Sequence, residues 1–245
     1  MMGETTCLTF GRMARVLNIS KGQTVSVAKT YWKNIEPRVV HSCPNVSLFR
    51  FLGTAGIGLD RLSVLEIGFG ANDGQDLLEA RKRGANAYGT DINEMYVKEF
   101  GEKYPDIKVR CTDAGKEELP FEGLDLVFSR DVIYYLTNEE IRFNFKDCFE
   151  KLNPGGNLVF QYIEKDIELI DPTEPGQPLD LQGIASAVIN SIAPKENPIR
   201  FLDPAFLHDA AITTGFSFVA KKALIESYGN DEQKFRVNRY FMFRK

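Results

Sequence analysis

The stretch "VLEIGFGANDGQDLLEA", residues 64–80, constrains this chain more than any other part of it. An apolar run passes into three glycines, Gly68, Gly70 and Gly74, and then into charged residues that favour a helix. A chain does this where a buried strand ends and a helix begins over a bound group: the glycines let backbone come close to it, and the helix aims its first amides at the same place. A dinucleotide fingerprint needs G-x-G-x-x-G, and here the third glycine falls one residue late, giving G-x-G-x-x-x-G. The wider turn, with Glu66 inside the strand, suits a ligand that has no pyrophosphate to cradle. A nicotinamide-dependent oxidoreductase stays as the competing reading.

From Leu62 onward, strand-like and helix-like segments alternate. "SVLEIGF" reads as a strand buried on both faces, with a helix over roughly residues 74–83 that stops at Gly84. "NAYGTDI" is a second strand, followed by a helix with Tyr96, Phe100 and Tyr104 in one stripe that ends before Pro105. "IKVRC" and "LDLVFSR" are the third and fourth strands. "TNEE" has the capping-box form, Thr137 capping and Glu140 bonding back, and Ile141, Phe145, Cys148 and Leu152 then recur at helical spacing. "NPGG", residues 153–156, breaks that helix and turns into a fifth strand, "NLVFQYI". The tail reads as two strands around Gly229-Asn230. Regular alternation of this kind predicts an α/β, Rossmann-like, seven-stranded and mostly parallel sheet with helices on both faces and an antiparallel final strand.

Two segments lie outside the alternation. Residues 1–60 read as an N-terminal helical cap, and residues 61–245 as the main domain. Within it, residues 164–207 hold six of the chain's 11 prolines around an apolar helix-like stretch, an insertion after the fifth strand that could act as a lid.

Composition narrows the function classes. Hydrophobic content of 43% with 26% charged residues is that of a globular domain, and a net charge of -4 gives no electrostatic footprint for nucleic acid. The four cysteines include no C-x-x-C pair and there are two histidines, so no metal site is expected. Cys111 and Cys148, in apolar-periodic segments, read as buried thiols. No run is long and apolar enough for a membrane span, and the first residues lack an apolar signal core, so a cytoplasmic setting is expected.

Asp91 ends the second strand, where a carboxylate can accept both hydroxyl hydrogens of a ribose. Asp113 follows the third strand and could accept from an adenine amino group, with the Ala114 amide available to a ring nitrogen. The loops 68–74, 91–93 (with Ile92) and 113–115 open at one edge of one sheet, the edge at which α/β folds bind ligands.

With these residues in place, the chain resembles the class I S-adenosylmethionine-dependent methyltransferases, of the small-molecule group, over roughly residues 62–163. "VLEIGFGANDG" is similar to the family's first motif, with Glu66, Gly68 and Gly70 as its core. "GTDIN" resembles the acidic second motif, "CTDA" the adenine-side motif, and "LDLVFSRDVIYYL" and "LNPGG" the fourth-strand motif and the turn before strand five. The resemblance implies S-adenosylmethionine as cofactor, backbone at Phe69 and Gly70 facing its methionine part, Ser129 or Arg130 near its carboxylate and amine, and Tyr31 covering it. It implies transfer of a methyl group to an oxygen or nitrogen of a small molecule, with a non-catalytic cofactor-binding protein as the alternative. Catalytic candidates are Asp131, Tyr134 and His208, beside Tyr135 and His41. Acids of the insertion, Glu164 to Glu174, would favour a cationic acceptor, while Lys195 and Arg200 could equally hold an anionic group.

Overall fold

The computed structural model of the chain describes residues 29–30, 32–34, 46–70, 73–162, 169–170, 178–179, 202–227 and 235–245. Its strands are β1 (Ser63–Ile67), β2 (Asn86–Asp91), β3 (Lys108–Cys111), β4 (Leu124–Ser129), β5 (Leu152–Tyr162), β6 (Leu169–Ile170), β7 (Pro178–Leu179), β8 (Ser217–Ser227) and β9 (Phe235–Arg244). The helices, numbered in chain order, are α1 (Val46–Thr54), α2 (Gln75–Lys82), α3 (Glu94–Lys103), α4 (Asn138–Lys151) and α5 (Pro204–Thr214). Seven strands form one sheet in the order β3-β2-β1-β4-β5-β9-β8. The first five in chain order are mutually parallel, and β9 runs antiparallel to both of its neighbours.

β1 shows why the sheet is covered on both sides. Val64 and Leu65 point to opposite faces and neither is exposed. On one face Leu65, Val127, Phe160 and Phe241 meet Ile141 and Phe145 of α4 and Leu207 of α5. On the other, Val64, Phe128 and Met242 meet Leu48, Phe51 and Leu52 of α1. Farther along that face Leu77 of α2 and Phe100 of α3 close over Ala87 and Val109.

The expected capping box is present: Glu140 N donates to Thr137 Oγ1, and Thr137 N donates to Glu140 Oε2. "DPAFL" also starts a helix, with Asp203 Oδ1 accepting from Ala205 N and Pro204 in the first turn.

Three expectations need correction. The "NPGG" stretch does not precede β5 but lies within it: Leu152 pairs with Leu124, Asn157 pairs with Leu126, and the residues between are absorbed as an irregularity that uses Gly155 at φ +81. Cys111 is exposed rather than buried, because β3 is an edge strand with one side uncovered; Cys148 is buried as expected. The insertion ends earlier than residue 207, since α5 starts at Pro204 and Leu202 and Leu207 are core residues. Within the insertion β6 and β7 pair antiparallel; of the helix expected over residues 179–193, Leu179 belongs to β7 and residues 180–193 lie outside the described residues.

Thr137→Ala should destabilise the protein by about 1 kcal/mol, and Thr137→Ser should recover most of the loss. Denaturant unfolding with an unchanged slope is the measurement, and equal stability of the alanine variant would show that the cap contributes nothing.

Candidate functional site

β1, β2 and β4 all end at the same edge of the sheet, and the candidate residues follow from where each strand stops. At Gly68, φ is +82 and an added Cβ would lie 2.2 Å from Val132 Cγ2, so both backbone and space require glycine. Gly70 is required by contact alone: its Cβ would meet the Tyr96 ring at 2.7 Å and Asp91 Oδ2 at 2.9 Å. The glycine turn therefore rests on protein groups as well as leaving backbone open. Phe69 turns its ring into the core against Phe100.

Asp91 ties the turn to the end of β2. Its Oδ2 accepts from Gly70 N at 2.9 Å and its Oδ1 from Asn93 N at 2.8 Å. Burial pushes the carboxyl up to about 6, against the lowering effect of the Asn93, Gly70 and Ile92 amides. Ile92 is half-buried, and its carbonyl accepts from Cys111 Sγ. Asn93 caps α3 through Met95 N and Tyr96 N.

Beneath the glycines lies a buried cluster of charges. Glu66 is 1% exposed and its Oε2 has no hydrogen-bond partner among the described residues. Burial, and then the nearby Asp76 carboxylate, raise its pKa well above the ordinary value, with Arg130 opposing. Arg130, just beyond β4, places Nε 3.1 Å from Asp76 Oδ2. Burial alone would lower the guanidinium; the carboxylates of Asp76, Asp131 and Glu66 hold it above its ordinary value. Two buried acids, Glu66 and Asp76, thus share one buried cation, with the buried Asp91 carboxyl close to Glu66.

At the β3 end, Asp113 Oδ1 accepts from Lys29 Nζ at 2.8 Å and from Gly115 N at 3.0 Å. Ala114 is buried and its carbonyl accepts from Asn144 Nδ2. Beyond β4, Ser129 is buried, Asp131 holds the left-handed φ of +57, and Tyr134 donates its hydroxyl to Asp131 Oδ1 at 2.7 Å. Left-handed backbone at a non-glycine residue costs free energy and is found where a side chain must be aimed.

The structure thus gathers Glu66, Gly68, Phe69, Gly70, Asp91, Ile92, Asp113, Ala114, Ser129, Arg130, Asp131 and Tyr134 along one edge. It sets His208 elsewhere, on α5 with its ring against Phe218 and Phe243 and Nδ1 near Asp209. Tyr31, His41, Lys195, Arg200 and the acids of the insertion lie outside the described residues. Sequence reasoning missed Asp76, which reads as an ordinary acid in a first helical turn, and Asn93, whose capping position was legible. It also missed Lys29, for which no local signal exists.

The residues present fit an adenosine-bearing cationic group: Asp91 and Asp113 stand at or just beyond the ends of adjacent strands, the neighbouring turn after β1 has glycine at 68 and 70, and the buried cluster carries more acid than base.

Comparison with known proteins agrees with this fold. Residues 64–156 match the family described as methyltransferase domain. A phosphoethanolamine N-methyltransferase of Plasmodium falciparum is 32% identical over 99 residues, which are 39% of this chain and 37% of that protein. The match therefore spans well under half the length of that relative. An S-adenosylmethionine-dependent methyltransferase from Mesorhizobium loti shares the fold with a TM-score of 0.58 at 18% identity, over 82% of this chain and 99% of that one. The N-methyltransferase NodS of Bradyrhizobium japonicum, in complex with S-adenosylhomocysteine, does so with a TM-score of 0.58 at 14% identity, over 91% and 98%. Residues 64–156 thus match a methyltransferase domain, and the sheet around them has the fold of S-adenosylmethionine-dependent methyltransferases.

Proposed function

We propose that the protein binds S-adenosylmethionine at the edge formed by β1, β2 and β4 and transfers its methyl group to a nitrogen or oxygen of a small molecule. The observation that carries this reading is the Asp91 carboxylate, held by Gly70 N and Asn93 N at the point where a ribose would lie. Each of its oxygens keeps a lone pair for a ribose hydroxyl. Asp113 would take the adenine amino group, with the Ala114 amide beside it. Phe69 and Gly70 would offer backbone to the methionine part, and Ser129 and Arg130 would lie near its polar end. The acid excess of Glu66, Asp76 and Asp91 over Arg130 would favour a ligand that carries positive charge. Tyr31 remains a proposed cover for it.

When bound, S-adenosylmethionine supplies a methyl group already activated by its sulfonium. What the chain must do is align the acceptor with that methyl and keep water away, an effect worth up to about 7–11 kcal/mol where alignment is complete. Asp131, fixed by the Tyr134 hydroxyl, is the group placed to take a proton from an acceptor that carries one. His208, set against Phe218 and Phe243, is not assigned a role. Nitrogen is favoured over oxygen as the accepting atom because the relative at 32% identity is a phosphoethanolamine N-methyltransferase. Residues 164–201 follow β5 in the chain, and we assign them the part of a lid over the acceptor.

Asp91→Ala should weaken binding of S-adenosylmethionine by about 1.5–3 kcal/mol, as expected for hydrogen bonds to a charged group. Calorimetry on a variant that still melts cooperatively is the measurement, and unchanged affinity overturns the assignment.

The raised pKa of Asp91 sets a pH dependence. Between the ordinary value of 3.8 and about 6 the folded protein holds a proton that the unfolded chain has lost, so this group's contribution to stability falls as pH rises through that window. Cofactor binding runs the other way, because ribose hydroxyls need the ionised carboxylate. Affinity for S-adenosylhomocysteine should rise from pH 5 to 7 and level off above, with a proton released on binding near pH 6 and the dependence flattened in Asp91→Asn. Calorimetry in buffers of different ionisation enthalpy reads this directly; affinity independent of pH in the wild type counts against it.

Replacing residues 164–201 by a short Gly-Ser linker should leave cofactor affinity within a few fold and abolish methyl transfer to the native acceptor. Radiolabel transfer into pooled small metabolites, run on both proteins, tests the activity and the lid together. No transfer by the full chain sinks the catalytic reading and favours a cofactor-binding regulator; equal transfer by the two sinks the lid.

A further inference from the structure

Lys29 reaches from the N-terminal segment into the site. Its Nζ lies 2.8 Å from Asp113 Oδ1 and 2.6 Å from Glu140 Oε1, with side-chain exposures of 12%, 19% and 12% for the three residues. Charges shielded to this degree are screened by salt much less than exposed ones. Both acids are also fixed from their own sides, Asp113 by Gly115 N and Glu140 by Thr137 N. The space for the ammonium comes from Gly115, whose added Cβ would sit 2.8 Å from Lys29 Nζ and 2.9 Å from Glu140 Cβ.

The same segment has a second anchorage. Asn93 Nδ2 donates to the Trp32 carbonyl at 2.9 Å, and the Trp32 ring meets Tyr135 edge-on at 5.8 Å. Asn93 is the residue whose backbone N–H holds Asp91 Oδ1. Lys29 and Trp32 are thus joined to the loops that carry both Asp91 and Asp113. Lys29 and Gly115 both take Asp113 Oδ1, and Oδ2 accepts no hydrogen bond among the described residues.

We propose that Lys29 is a positioning residue that sets the preference for adenine: it fixes Asp113 so that Oδ2 accepts from the adenine amino group. The inference rests on the cofactor reading above. A purine with a carbonyl in place of the amino group offers Asp113 no donor, so the benefit of a fixed Asp113 is confined to adenine. A purely structural Lys29 would support both ligands alike.

The test is binding of S-adenosylhomocysteine and of S-inosylhomocysteine to the wild type, Lys29→Met, Asp113→Ala and the double variant. Calorimetry gives affinities, stopped-flow gives dissociation rates, and a melt checks folding. Lys29→Met should bind S-adenosylhomocysteine about tenfold more weakly, mainly through faster release, and S-inosylhomocysteine much less so. In the Asp113→Ala background the same substitution should leave the adenine preference unchanged, since the two residues act as one unit. The proposal is overturned if Lys29→Met, still folded, binds the adenine ligand as the wild type does. It is equally overturned if both ligands lose the same factor, or if the effect persists without Asp113. A wild-type protein that binds neither ligand overturns the methyltransferase reading, and this inference with it.

Discussion

The Asp91 carboxylate is the point on which fold and site both depend. It is buried at the end of β2, yet it holds the amide of Gly70 in the glycine turn on one side and the amide of Asn93, two residues beyond β2, on the other. Without it, two buried N–H groups would lose their acceptor and the turn after β1 would lose its tie to the neighbouring strand. The cost is desolvation of a carboxylate, visible in a pKa raised to about 6. A group kept under that strain at the mouth of a sheet is suited to a ligand whose hydroxyls restore what water supplied.

The cluster below the turn extends the same logic. Arg130 is paired with Asp76, which lies in the first turn of α2, and this pair locks the end of β4 to the start of the helix. Glu66 remains beside them with one oxygen that has no hydrogen-bond partner among the described residues. Such an arrangement is poor as a device for stability, because an isolated buried acid is expensive. It makes sense as the floor of a site for a cation. The other buried polar chain on this face, from Gln161 through Asn238 to Ser47 and Tyr240, is hydrogen-bonded from member to member and fastens α1 to β5 and β9.

The N-terminal segment belongs to this system rather than to the core alone. Trp32 packs on the main cluster, but its carbonyl and Lys29 are spent on Asn93, Asp113 and Glu140. Glu140 has two tasks at once, closing the capping box of α4 with one oxygen and receiving Lys29 with the other. The anchorage of Lys29 is thereby linked to the start of a helix that packs directly on the sheet.

The sequence by itself determined the order of strands and helices, because buried parallel strands, capped helices and glycine turns each leave a local mark. The capping box at Thr137, the stripe through Tyr96 and Phe100, and the positions of Asp91 and Asp113 at strand ends are all set by neighbours in the chain. What the tertiary structure decided depends on partners far apart in sequence. Lys29 finds Asp113 and Glu140 across 84 and 111 residues, and Asp76 finds Arg130 only because β1 and β4 are neighbours in the sheet. Cys111 looked like a core residue because periodicity cannot tell an edge strand from a central one. "NPGG" looked like a turn before a strand because glycine and proline mark a bulge and a loop alike. Local pattern records what each segment can become; which charges are buried together is known only once the sheet has brought its carboxyl ends into line.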